Sequence, residues 1–120
     1  MIKGIGIDCT HITRFAKIVE NQKMIDKFIN KIYSDAEKKH IATLQTPSLK
    51  SQYMASRWAI KEALIKSVGH PISPPQISTY SDQLNKPMVS WSNQQFMISL
   101  THEEDLCIAV CIWLQSKEQP

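Results

Sequence analysis

The apolar positions of this 120-residue chain change period twice along its length. Ile5 and Ile7 alternate with Gly4 and Gly6 before Asp8, a period of two that predicts a short strand ending in an acid. The two glycines leave one face without side chains, so another backbone can come close there. Ile12, Phe15, Ile18 and Val19 then recur at helical spacing, with Thr10 or Thr13 as the cap, and Met24, Phe28 and Ile32 continue the apolar stripe. That pattern predicts two short helices. Ser34 followed by Glu37 has the form of a capping box, in which the serine side chain meets an orphan amide and the glutamate reaches back, so a third helix starts there. Pro47 and Ser48 punctuate the chain, and 49–68 then holds no Gly or Pro until Gly69. This predicts the longest helix, with Gly69 as its C-terminal cap.

Past a loop with His70, Pro71, Ser73, Pro74 and Pro75, the pattern turns strand-like over 76–80, 87–91, 96–100 and 106–114. Consecutive strands with short polar turns predict antiparallel pairing. Helices followed by strands predict the α+β class, with helices packed against one face of an antiparallel sheet. The length fits one domain over 1–120, large enough to bury about two thirds of the surface its unfolded form exposes.

Hydrophobic residues make up 42% and charged residues 21%, which excludes wholesale disorder and fibrous architectures. Fourteen Lys and Arg against eleven Asp and Glu give a charge of +3, an excess that suits an anionic ligand but is too small to argue for nucleic acid. The first eight residues are too short and glycine-rich for a signal peptide, and no apolar run approaches the ~20 residues a membrane span needs. Cys9, Cys107 and Cys111 have no CxxC spacing, which argues against a disulfide framework and a structural zinc site. A soluble cytoplasmic protein with reduced thiols is expected, with Cys107 and Cys111 as small buried hydrophobes.

Charge placement on the long helix says more. At about 100° per residue, Arg57 and Lys61 fall in the arc of Tyr53, Met54, Trp58, Leu64, Ile65 and Val68, while Glu62 and Lys66 lie on another side beside Ala55 and Ala59. Glu62 and Lys66 fit either a surface ion pair or a site approached closely by a ligand; Arg57 and Lys61, cations among large apolar side chains, either snorkel past the apolar band or call for another explanation. Asp8 is equally a loop acid, a helix cap or one of the two carboxylates with which magnesium is commonly held, Glu62 being the other. His102, in a predicted hairpin turn, and Lys86, beside Asn85 and Pro87, read first as solvated turn residues.

Taken in order, four blocks resemble the holo-acyl-carrier-protein synthase family, the small trimeric type of phosphopantetheinyl transferase, along nearly the whole chain. They are GIGIDCTHITRF from Gly4 to Phe15, FINKIYSDAE from Phe28 to Glu37, RWAIKEALIKSVG from Arg57 to Gly69, and Ser99, Leu100, Thr101 and His102 before a hydrophobic strand, preceded by Asn85, Lys86 and Pro87. The third is the most specific, close to R-x-A-x-K-E-A-x-x-K-A-x-G with Ser67 in place of the small alanine. Cys9, Thr10 and His11, Leu100 and Thr101, and the bulk of Trp58 depart from the family pattern around the presumed ligands. The departure at His11 puts metal preference and carrier choice in question, but not the reaction type.

The resemblance implies the phosphopantetheinyl transferase fold and transfer of 4'-phosphopantetheine from coenzyme A to a serine of apo acyl carrier protein, releasing adenosine 3',5'-bisphosphate, for fatty acid biosynthesis. It implies that Asp8 and Glu62 hold magnesium, with manganese as an alternative, and that Lys66 offsets phosphate charge. Glu62 or a water on the metal takes the serine proton. Arg57, Lys61, Lys86 and His102 would cradle the adenosine end of coenzyme A, and Arg14, extended by Lys17, would face the acidic carrier protein. Family members are homotrimers with sites shared between subunits, which would give Arg57 and Lys61 an interfacial cleft to face. A non-catalytic carrier-protein or coenzyme A binding module is the rival reading, opposed by intact Asp8, Glu62 and Lys66. A small nucleic-acid binder has only Arg57, Trp58 and Lys61 in its favour.

Overall fold

The computed structural model of the chain describes residues 1–116; 117–120, the end of the domain expected over 1–120, lie outside the described residues. The elements run β1 (Ile2–His11), α1 (Ile12–Glu20), α2 (Ile25–Ile32), α3 (Asp35–Thr43), α4 (Pro47–Val68), a 3-10 turn (Pro74–Gln76), β2 (Ser78–Ser81), β3 (Pro87–Ser90), β4 (Gln95–Glu103) and β5 (Leu106–Leu114). β1, β5 and β4 form one antiparallel sheet in that order, and β2 and β3 form a separate antiparallel hairpin. The α+β class and the helix-on-sheet packing are as the sequence predicts, but the strands divide into two sheets.

One face of the larger sheet carries Gly4, Gly6, Asp8 and Thr10 on β1, and across the register Trp113, Cys111, Ala109 and Cys107 on β5. α4 lies on this face, burying Ala59, Ile60, Ala63 and Leu64 against Ile98, Cys107, Ala109 and Cys111. A second cluster, Phe15, Ile32, Tyr33, Ile41, Met54 and Ala55, seats α1, α2 and α3 on the other side of α4. The contact between α4 and β1 depends on glycine: a Cβ on Gly4 would lie 1.9 Å from the Ser67 carbonyl oxygen, and one on Gly6 would lie 2.0 Å from that of Ala63. This is the close backbone approach that the glycine pattern predicts.

Caps set several boundaries. Ser34 and Glu37 make the predicted capping box, with the Glu37 amide donating to Ser34 Oγ and the Ser34 amide to Glu37 Oε1. Thr46 caps α4 with Pro47 in its first turn, and Gly69 ends it in the left-handed region at φ 86. The cap of α1 is a correction: neither Thr10 nor Thr13 supplies it. Asp105, in the β4–β5 turn, accepts from the Thr13 amide at 2.8 Å and from the Thr13 hydroxyl. Ile12 donates to the Asp105 carbonyl. Cys107 and Cys111 are buried as expected, and burial pushes their thiols up to about 11, so they stay protonated. No described helix is long and apolar enough to cross a membrane.

Candidate active site

Asp8 and Glu62 reach one place because β1 and α4 are held together at the two glycines. On β1, residues two apart share a face, so Thr10 stands beside Asp8, and its hydroxyl donates to Asp8 Oδ2 at 2.8 Å. Lys66, one turn after Glu62 on α4, reaches across with Nζ 3.3 Å from Asp8 Oδ1 and donates at 3.0 Å to the Ile7 carbonyl. Burial holds the Glu62 carboxyl above the usual carboxylate range; the charge of Asp8 raises it further, and Lys66 and Arg14 pull the other way. Glu62 and Lys66 open onto a cleft of about 470 Å³, walled by Ile65, Gly69, His70, Pro71, Ile72 and Pro74.

Arg14 stands on α1 with its guanidinium carbon 4.9 Å from the Trp58 ring centroid. The indole braces the cation, which gives the bulk of Trp58 a structural use. Arg57 lies elsewhere: it lines a second cleft of about 370 Å³ with His40, Tyr53, Thr79, Tyr80, Ser81 and Asn85. Its guanidinium stacks 4.6 Å from the Tyr53 ring, whose other neighbour is the His40 ring at 4.4 Å. Arg57 Nε is buried without a hydrogen-bond partner among the described residues. The two clefts share no lining residue.

The profile of the 4'-phosphopantetheinyl transferase superfamily matches residues 4–111. The chain belongs to that superfamily. The holo-(acyl-carrier-protein) synthase of Wolbachia sp. subsp. Brugia malayi is 35% identical over 112 residues, covering 88% of each chain. That of Mycoplasma capricolum is 34% identical over 116 residues, 93% of this chain and 94% of the relative. The solved holo-(acyl-carrier-protein) synthase of Bacillus anthracis str. Ames, in complex with CoA (3',5'-ADP), superposes with a TM-score of 0.83 at 30% identity, over 97% of this chain and 99% of that one. The Plasmodium yoelii synthase gives 0.84 at 26% identity, over 98% of each. The α+β fold is therefore that of the holo-acyl-carrier-protein synthases, whose reaction is transfer of phosphopantetheine to an apo carrier protein.

In the transferase, the sequence-predicted residues fall into separate groups. Asp8, Glu62 and Lys66 converge, with Arg14 close enough to Glu62 to affect its proton. Lys86 is exposed in the β2–β3 turn, where Asp82 Oδ1 accepts its amide at 2.8 Å and Asn85 takes φ 61, so the turn belongs to the Arg57 side. His102 is exposed at the end of β4, in one row with Cys107 and Thr10, a pair beyond the row of Asp8, Ala109 and Leu100. Lys61 needs a correction. Its side chain is 1% exposed, 2.6 Å from Glu37, and donates to the carbonyls of Ile32, Pro74 and Ile77. Its place among large apolar side chains is explained by a buried ion pair and not by a cleft.

His11, on the face of β1 away from Asp8, pairs with Asp105 at 3.3 Å, so the departure there leaves the immediate surroundings of Asp8 to Thr10. Thr10 as a partner of Asp8 was open to the period-two rule but reads in the sequence as a cap. Tyr53 and His40, the stack behind Arg57, carry no signal of their own in the sequence.

The carboxyl coupling has a measurable consequence. Because folding raises the Glu62 pKa, the protonated form is favoured, and this contribution to stability is lost as pH rises through the folded value. NMR titration of the metal-free protein is expected to show Glu62 titrating above an ordinary glutamate. In Asp8→Asn the value should fall only part of the way, since burial is the larger cause. An unchanged value in that variant would show that the two carboxylates are not coupled.

Proposed function

We propose that the transferase is a magnesium-dependent holo-acyl-carrier-protein synthase whose metal is held by Asp8 and Glu62. The supporting observation is the convergence of one strand carboxylate and one helix carboxylate with the Lys66 ammonium at the mouth of a cleft. The donor set fits: two hard carboxylate oxygens suit magnesium, which keeps its other positions for water and phosphate oxygens. Among the described residues no group of three His, Cys, Asp or Glu forms a closed cage of the kind structural zinc requires. Magnesium, when bound, would offset the charge on the pyrophosphate of coenzyme A.

The protein's own groups do the rest. Glu62 would take the proton from the carrier serine hydroxyl. The serine oxygen attacks the phosphorus bearing pantetheine, and the bond to adenosine 3',5'-bisphosphate breaks. Lys66 neutralises charge that builds on the phosphate oxygens as this happens. Thr10 holds Asp8 in place.

Arg57, with Lys86 on the adjoining turn and His102 at the end of β4, would bind the adenosine end, the arginine through planar two-pronged phosphate contacts. Because the Arg57 cleft is distinct from the Glu62 cleft on one chain, a homotrimer would join them across copies. The outer face of the sheet supports this: Ile5 is 66% exposed, Ile7 58% and Met97 55% in the single chain, an apolar strip that further copies would cover. Arg14 and Lys17, both exposed, would steer the acidic carrier protein in. The reaction supplies holo carrier protein for fatty acid biosynthesis, in the cytoplasm.

Intact-mass spectrometry of apo acyl carrier protein, incubated with the transferase, coenzyme A and magnesium, is expected to show a phosphopantetheine mass gain that a chelator abolishes. No gain with several carriers, despite coenzyme A binding, would favour a non-catalytic module. Sedimentation of the same sample is expected to give a trimer; a fully active monomer would sink the shared site.

A further inference from the structure

The Glu37–Lys61 pair is sealed inside the fold, with side chains 0% and 1% exposed. Lys61 Nζ has three protons and faces four oxygens: Glu37 Oε1 at 2.6 Å and the carbonyls of Ile32 at 3.0 Å, Pro74 at 3.0 Å and Ile77 at 2.7 Å. Glu37 in turn accepts from the Ser34 amide at 2.8 Å, and from both the amide, at 3.0 Å, and the hydroxyl of Thr79. One contact therefore ties the end of α2, the start of α3, the 3-10 turn and β2 to the middle of α4. Taking two charges out of water costs about as much as their attraction returns, and apolar residues of the same volume often stabilise a fold as well. Adhesion alone does not account for the pair.

Its reach does. Pro74, whose carbonyl Lys61 holds, walls the cleft of Glu62 and Lys66, and Thr79, which Glu37 holds, walls the cleft of Arg57. Lys61 itself sits four residues after Arg57 and directly before Glu62. We infer that Glu37 and Lys61 are positioning residues for the transfer reaction, a single buried pair that sets the shape of both clefts at once. The inference rests on the reading of the two clefts as coenzyme A sites. In an assembly that shares sites between copies, each pair would serve two coenzyme A molecules, through its loop wall for one and its β2 wall for the other.

The test is steady-state kinetics on wild type, on the double variant Glu37→Gln/Lys61→Met, which removes both charges together, and on Thr79→Val, which removes one donor from Glu37. For variants that match wild type in circular dichroism and sedimentation, the KM for coenzyme A is expected to rise about tenfold in the double variant and roughly threefold in Thr79→Val, with the KM for the carrier unchanged. A merely structural pair would not split the two KM values. Equal values for coenzyme A within twofold, or a parallel rise in both KM values, would overturn the inference, and Thr79→Val decides it if the double variant does not fold. Failure of wild type itself to transfer would overturn the underlying reading, and the inference with it, a result distinct from a variant-specific change.

Discussion

Glu62→Gln is expected to lower phosphopantetheine transfer about a thousandfold while leaving the fold intact. The amide has the shape of the carboxyl but neither its charge nor its basicity, so under the proposed mechanism the variant would lose a metal ligand and the proton acceptor in one step. Stability should not fall with activity. The carboxyl of Glu62 ionises against burial and against the charge of Asp8, and a neutral amide escapes both costs. Melting temperature and single-turnover mass spectrometry on the same preparation separate the two effects. Transfer within tenfold of wild type would remove Glu62 from the chemistry.

The second large effect is on structure. Gly6→Ala places a Cβ where 2.0 Å separates it from the Ala63 carbonyl oxygen, 2.7 Å from the Ser67 nitrogen and 2.9 Å from the Lys66 Cβ. Two of these three neighbours are backbone, so β1 must move off α4. A loss of about 3 kcal/mol is expected, roughly 10 °C in melting temperature. Because Asp8 is two residues further along the same strand, it would move away from Lys66, and activity should fall more than stability predicts. A variant that melts with wild type would show that β1 can shift without cost.

The sequence carried the site's residues better than its assembly. A carboxylate pair with a lysine one turn away is one of the readings open to Asp8, Glu62 and Lys66 in the sequence, which the family resemblance selects, and the glycines announce the close packing that brings these residues together. The separation of Arg57 from Glu62 was legible too, since five residues on a helix turn through more than a right angle. What was hidden is long-range. β1 was expected over 4–8 and runs from Ile2 to His11, because pairing with β5 extends it past the point where its own alternation stops. Pro47 reads as punctuation before the long helix but occupies its first turn, where a proline costs nothing. Likewise, Gln76 falls in a 3-10 turn and β2 starts at Ser78, since two prolines precede it. Lys61 could not be assigned from its own helix, because its partner is the capping-box glutamate of another.

The order of strands also bears on how the chain can fold as it is made. β1 precedes the other described elements in the chain, yet its sheet partner is β5, with Ile7 opposite Val110, and α1 takes its cap from Asp105. Local contacts can form α2, α3 and α4 early, but β1 must wait, its apolar residues unpaired, until the β4–β5 hairpin leaves the ribosome. Folding is thereby tied to a late, high-contact-order closure, and the interval before it is when β1 is open to chaperones or to pairing with the wrong strand.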